Sequence, residues 1–250
     1  MLRFLSLVTL WAVFFGCGSA EAKVHSWAED NDLWKEDNLN FAESNVSEET
    51  FNNIISAAEE LYAPIAEEWK EKLVINRKWE DPTVNANVWR NGYGATEINM
   101  YGGLARRPEV LPSGFALVLC HELGHLYGGA PYIHVGLKMA AEGQSDFYGA
   151  GWCLKNVLEK IEDSSSFPST FYMEKVCNED NSCMRQLSGG QSLGNLLATM
   201  RRESKPDFET PDRSVVKRTN TSYPKTVQCR LDSYHNGTLG LDRPLCWFKP

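Results

Sequence analysis

Apolar positions first gather at the start of the chain, where Met1-Leu2-Arg3 leads into a mostly apolar stretch from Phe4 to Phe15. One positive charge ahead of a short apolar run predicts a secretory signal. The run falls short of the roughly 20 residues a helix needs to cross a bilayer, and no later stretch approaches that length. Two processing points compete. Ala20-Glu21-Ala22 fits the small-x-small rule and would release a chain starting at Lys23, whereas Gly16-Cys17 reads as the end of a lipoprotein signal with Cys17 as the lipid anchor. Phe14 and Phe15 are bulky where a lipoprotein signal has Leu and a small residue, which favours the first.

Residues 23–46 are acidic, carry scattered Trp27 and Trp34 and show no period, so they read as an N-terminal arm or short pro-segment. From Ser47 onward Phe51, Ile54, Ile55, Ala58, Leu61, Tyr62, Ile65 and Trp69 recur at helical spacing, which predicts a long amphipathic helix kinked at Pro64. Two strand-like runs, Val84 to Arg90 and Thr96 to Tyr101, flank Asn91-Gly92-Tyr93-Gly94, a turn suited to a hairpin that Gly102-Gly103 ends. Pro112-Ser113 opens a hydrophobic helix through Phe115, Leu117, Val118 and Leu119 to Tyr127, stopped by Gly128-Gly129. A second buried helix is expected from near Leu137 past Leu154 towards Ile161. A polar, loop-like stretch over 162–190 follows, then a helix carrying Leu193, Leu196, Leu197 and Met200, and an irregular connection over 203–227. The expected fold class is α+β, mostly helical with a small edge β-hairpin or sheet. Residues 47–250 are expected to form a single domain behind a signal peptide at 1–22.

Composition narrows the class of partner. At 250 residues, 42% hydrophobic and 23% charged, the chain can bury a sizeable core, so disorder is excluded as its main state. Lys and Arg number 25 against 33 Asp and Glu, leaving −8 with no basic cluster, which argues against a nucleic-acid partner. Loss of the signal leaves Cys120, Cys153, Cys177, Cys183, Cys229 and Cys246. An even number in an exported chain predicts disulfides. The expected pairs are the sequence-local Cys177–Cys183 and Cys229–Cys246, leaving Cys120–Cys153, with buried free thiols as the alternative.

The candidate chemistry lies at the end of the hydrophobic helix. His121-Glu122-Leu123-Gly124-His125 is an H-E-x-x-H word. Positions four apart lie about 40° round a helix and about 6 Å along it, so both imidazoles can reach one metal ion. Glu122, beside the first ligand, is then placed to take a proton from a water that the metal activates. A catalytic zinc site uses three protein ligands and keeps one corner open. The continuation H-E-x-x-H-x-x-G-x-x-H fails here, because Pro131 occupies the third ligand position. Glu142 in Glu142-Gly143-Gln144-Ser145-Asp146 is the alternative third ligand, with Asp146 one turn on and able to accept the second ring N–H of His121. With three ligands assigned, His25 in the arm and His134 in the loop between the ligand helices are expected to lie outside the metal set.

His121 to His125 followed by Glu142 to Asp146 resembles the gluzincin zinc peptidases. Asn85-Ala86, a hairpin, Gly102-Gly103-Leu104-Ala105-Arg106 and the run into Cys120-His121 are similar to the order of motifs in the prenyl-protein-protease and minigluzincin group. The words at Gly102 to Arg106, Cys120 to His125, Gly128 to Pro131, Glu142 to Tyr148 and Cys229 to Tyr234 resemble an uncharacterised family of exported bacterial metallopeptidase-like proteins. The likeness implies a zincin-like (minigluzincin) core, with an edge hairpin over a pair of active-site helices. It also implies a strand, Thr96 to Tyr101 or Val84 to Arg90, that takes substrate as an added strand. Members use a His or Tyr to stabilise the oxyanion, and a late His-Pro word followed by Arg marks the prenyl-protease group. Tyr223-Pro224 and Arg230 stand there in this chain, which makes Tyr223 the candidate, with Tyr234 and His235 as rivals.

The expected activity is that of an exported, periplasmic or secreted, zinc-dependent endopeptidase acting on a peptide or protein substrate. His121, His125 and Glu142 hold Zn²⁺, Glu122 is the general base and Tyr223 assists. Two other readings share the residues: a zinc-stabilised, catalytically silent binding or chaperone-like module, and a zinc hydrolase of a non-peptide cell-wall amide. The position and composition of residues 23–46 further suggest an arm that lies in the cleft and keeps the chain latent until trimmed.

Overall fold

The computed structural model describes residues 23–35, 44–161 and 166–250, so the signal peptide, its processing points and Cys17 lie outside the described residues. The fold is α+β. In chain order its elements begin with β1 (Lys23–Ser26), α1 (Glu48–Glu68), β2 (Lys72–Lys78), β3 (Ala86–Arg90) and β4 (Ala95–Tyr101). They continue with α2 (Gly102–Ala105), α3 (Pro112–Tyr127), β5 (Tyr132–His134), β6 (Met139–Ala140) and α4 (Glu142–Tyr148). A π-helical turn, Gly149–Cys153, joins α4 to α5 (Leu154–Lys160), followed by α6 (Phe171–Val176), α7 (Asn181–Arg201) and α8 (Val227–Thr238).

The sheet runs β1-β3-β4-β2. β3 and β4 form the expected antiparallel hairpin, β2 adds in parallel to β4, and β1 adds antiparallel to β3. α1 packs on this body through Phe51, Ile54, Ile55, Ala58 and Tyr62, all fully buried. Ser47 caps its first turn by accepting from Thr50 N, and the helix continues through Pro64 to Glu68. At the centre is α3, whose residues are buried all round up to Leu126, as an apolar helix must be. Leu111 caps it, Pro112 supplies the first turn, where no N–H is needed, and Gly128 and Gly129 end it, as expected.

Three corrections to the expected elements have physical causes. The second buried helix starts at Glu142, not Leu137: residues 132–140 form the short hairpin β5/β6 with a 3₁₀ turn at Val135–Leu137. An apolar run of that length fits either a strand or a helix. The stretch 162–190 is not all loop. α6 sits inside it, and α7 starts at Asn181, where the Asp180 side chain accepts from Cys183 N. α8 arises in the chain after the irregular connection, where no helix was expected. Its inner face includes Arg230, Asp232 and Ser233, so it carries little apolar period. All three disulfides form as expected: Cys120–Cys153, Cys177–Cys183 and Cys229–Cys246. Among the described residues no helix is long and apolar enough to cross a membrane.

One close approach sets the geometry of the functional helices. A Cβ on Gly124 would lie 2.9 Å from both Cα and O of Ser145, so α3 and α4 cross with main chain nearly against main chain. Any side chain at position 124 pushes α4 away. Gly124→Ala should destabilise the fold by about 1–3 kcal/mol, measured by urea unfolding. An unchanged midpoint would show that the two helices have room to spare.

Candidate metal centre

α3 and α4 bring five ionisable side chains together in the interior. His121, Glu122 and His125 on α3 and Asp146 on α4 are fully buried, and Glu142 is 1% exposed. Each imidazole is anchored through Nδ1, His121 at 2.7 Å from Asp146 Oδ1 and His125 at 2.7 Å from the Ala140 carbonyl oxygen. A carbonyl oxygen and an ionised carboxylate only accept, so both Nδ1 atoms carry the hydrogen and both Nε2 atoms present a lone pair or a second proton to the other side. That other side is Glu142. His121 Nε2 lies 3.3 Å from Glu142 Oε2, and His125 Nε2 lies 3.6 Å from Oε1.

The unpaired atoms are the informative feature. His121 Nε2, His125 Nε2, Glu142 Oε2 and both oxygens of Glu122 are buried without a hydrogen-bond partner. Buried polar atoms are normally paired, and the lone pair of the neutral His125 ring facing a carboxylate in the interior is repulsive. A cation between them removes the conflict, and two imidazoles with one carboxylate are a donor set that transition-metal dications accept. The residues present therefore fit a metal ion.

His25 joins the same cluster. Its Nδ1 is 3.1 Å from Glu142 Oε1, its Nε2 is 3.2 Å from His134 Nε2, and its ring centroid is 5.1 Å from that of His125. The ligand atoms of His25, His125 and Glu142 all lie within 4.8 Å of one another, a grouping that could hold a metal ion. The expectation that His25 lies outside the metal set is corrected, while His134 contacts His25 but is not part of that grouping. β1 carries His25 over the site because it pairs with β3, in the register His25 to Val88 and Ser26 to Asn87. No spacing in the sequence signals a contact across 117 residues. A second grouping, Asp212 with Cys229 and Cys246, offers no thiolate, because those cysteines are joined.

Electrostatics follow burial and pairing. Burial alone would lower the pKa of His121, but Asp146 and Glu142 outweigh it and raise it to about 9. Burial dominates at His125 and takes it down to about 3, leaving that ring neutral. Burial also pushes Glu122 up to about 8. Glu142 resists burial because His125, His121 and His25 surround it, and its carboxyl is held below the usual range. Beneath the ligands, Arg230 of α8 grips Asp146 bidentately, at 2.8 Å (Nε to Oδ2) and 2.7 Å (Nη2 to Oδ1), and its Nη1 donates to the Trp27 carbonyl at 2.7 Å. This fork fixes Asp146, which in turn fixes the His121 ring. Sequence reasoning placed Arg230 beside a motif but did not link it to Asp146.

Of the oxyanion candidates, Tyr223 donates its hydroxyl to the Ser26 carbonyl at 2.7 Å, on the Glu142 side of β1. Tyr234 is buried and accepts from Trp27 Nε1 at 3.4 Å. His235 pairs instead with the Tyr172 hydroxyl at 2.9 Å and packs against Phe208. Compared with protein-family models, curated proteins and solved structures, the chain matches none.

Protein prepared in an oxidising compartment should carry a stoichiometric transition metal by elemental analysis. Glu142→Ala and His125→Ala should lose it, and Asp146→Asn should bind it about 10–100-fold more weakly. Full occupancy in Glu142→Ala would place the metal elsewhere.

Proposed function

We propose that this chain is an exported zinc-dependent endopeptidase of gluzincin type, with a zincin-like core, acting on peptide or protein substrates. The observation that carries the reading is the convergence of two unpaired Nε2 atoms and the Glu142 carboxylate beside a buried Glu122 whose oxygens have no partner. The three disulfides suit an oxidising compartment outside the cytoplasm. Zinc held by His121, His125 and Glu142 would supply Lewis-acid polarisation and a water pKa of about 7.

The remaining steps belong to the chain's own side chains. The ionised Glu122 carboxylate accepts the proton of the attacking water and returns it to the amine that leaves; burial disfavours that ionised form, and a nearby cation would favour it. The Tyr223 hydroxyl donates to the carbonyl oxygen as charge develops there. Its pKa is raised above the usual phenol value by burial, with Glu142 adding to the effect, so it remains a donor throughout the working range. Arg230 and Asp146 hold His121 in one tautomer and orientation. Neither strand expected to take substrate is a free edge, because β1 pairs along β3 and β2 along β4, so an extended peptide can lie along β3 only where β1 is displaced.

A specific observation favours the silent zinc module as a second reading. His25 offers a further ligand atom within 4.8 Å of those of His125 and Glu142, and a fully closed ligand set is what structural sites have. One variant separates the two. Glu122→Gln should retain fold and metal while cleavage of a peptide library falls about 10²–10⁴-fold. Equal or absent cleavage in parent and variant, both metal-loaded and freed of residues 23–29 after folding, would select the silent module. Tyr223→Phe should lower kcat about 10²-fold with KM little changed. A change confined to KM would make Tyr223 a binding residue only.

A further inference from the structure

β1 and the three residues after it bind the site through their main chain. β1 covers β3, which would otherwise be the free edge of the sheet next to the candidate metal centre. At the end of β1 the carbonyls of two successive residues meet residues of the site, and the N–H groups there are held by β3 and the residue before it. The Ser26 carbonyl accepts from Tyr223. The Trp27 N–H donates to the Ala86 carbonyl of β3 at 3.0 Å. The Trp27 carbonyl accepts from Arg230. Ala28 donates its N–H to Asn85 Oδ1 at 3.2 Å, and its carbonyl accepts from Asn85 Nδ2 at 2.9 Å. Beyond it the Glu29 carboxylate meets Arg201 in two contacts, at 2.6 Å and 3.2 Å.

Such a set goes beyond what a strand needs to close a sheet. It places the candidate donor for an oxyanion, the Tyr223 hydroxyl, on the carbonyl of the Ser26–Trp27 bond. The Trp27 side chain is fully buried, with Nε1 on Tyr234 and the Arg230 guanidinium 5.4 Å from its ring. Two residues before Trp27, His25 lies 3.1 Å from Glu142, with a ligand atom close to those of Glu142 and His125.

We propose that residues 24–28 are a built-in peptide occupant of the cleft, posed as a substrate with the Ser26–Trp27 bond at the reacting position. The substrates this cleft takes are then extended peptides with a large aromatic residue directly after the scissile bond. The inference rests on the peptidase reading. His25 explains why the occupant is not simply consumed: its imidazole stands where the attacking water must enter. A substrate without that histidine leaves the corner free, so the segment keeps the chain latent while it stays in place.

The test cuts the segment only after folding. A specific protease site is inserted between the exposed Glu29 and Asp30, and the folded, zinc-loaded protein is cut and dialysed. A fluorescein-labelled peptide of the sequence of residues 23–29 should then bind in a saturable manner by anisotropy. A Trp27→Gly version of the peptide should bind at least about tenfold more weakly, as expected for loss of a buried aromatic. The cut protein should hydrolyse a reporter peptide carrying Trp after the scissile bond at least tenfold faster than the uncut protein. A segment that stays with the body after cutting, or a labelled peptide that does not bind, makes β1 a permanent strand and overturns the proposal. Equal binding of the Trp27→Gly peptide overturns the aromatic preference. Saturable, Trp-dependent binding without any hydrolysis supports the occupant pose and overturns the peptidase reading instead.

Discussion

The structure depends on a crowding of buried polar groups: Nε2 of two imidazoles converges on the Glu142 carboxylate at 3.3 and 3.6 Å, and the neutral His125 ring turns a lone pair towards it. Removing these groups from water is costly, and the chain commits its central helix to placing them. Gly124 allows α4 to approach, Asp146 and Ala140 fix the ring tautomers, and Arg230 neutralises Asp146 from below. Each of these features leaves the Nε2 atoms free for one common point. A cation at that point turns mutual repulsion into coordination.

The second constraint is the free edge of the sheet. An uncovered strand beside a cleft invites another chain, and this chain fills the place with its own β1. The same contact brings His25 to Glu142 and the Ser26 carbonyl to the Tyr223 hydroxyl. Sheet completion and the approach of His25 to the buried cluster are thus one interaction. Separation of β1 from the rest of the fold would expose both that side of the cluster and the β3 edge.

What the sequence made legible was local. The paired imidazoles follow from helical spacing, the bounds of α3 from Pro112 and the Gly128-Gly129 stop, two disulfides from cysteine proximity along the chain and the third, Cys120–Cys153, as the pair left over. Glu142 and Asp146 were readable because they share one turn of a helix. What escaped was buried by other means than an apolar period. β2 buries only Ile75 fully, so it shows no alternation. The first half of α7 packs through Ser188, Gly189 and Gly190, the last two against Ser113 and Tyr234. α8 turns Arg230 and Asp232 inward, where charge serves the site instead of solvent. β1 is four residues long and finds its partner far along the chain, so its pairing leaves no trace in local pattern. For the same reason the place of His25 could not be read from spacing.

The central claim concerns the location of a cation, and the most direct measurement is an anomalous-difference map at the zinc edge from crystals of the zinc-loaded protein. The account predicts one strong peak within coordination distance of Nε2 of His121, Nε2 of His125 and the carboxylate of Glu142, at roughly 2.0–2.2 Å from each. No peak between these side chains, or the only peak elsewhere, would contradict it.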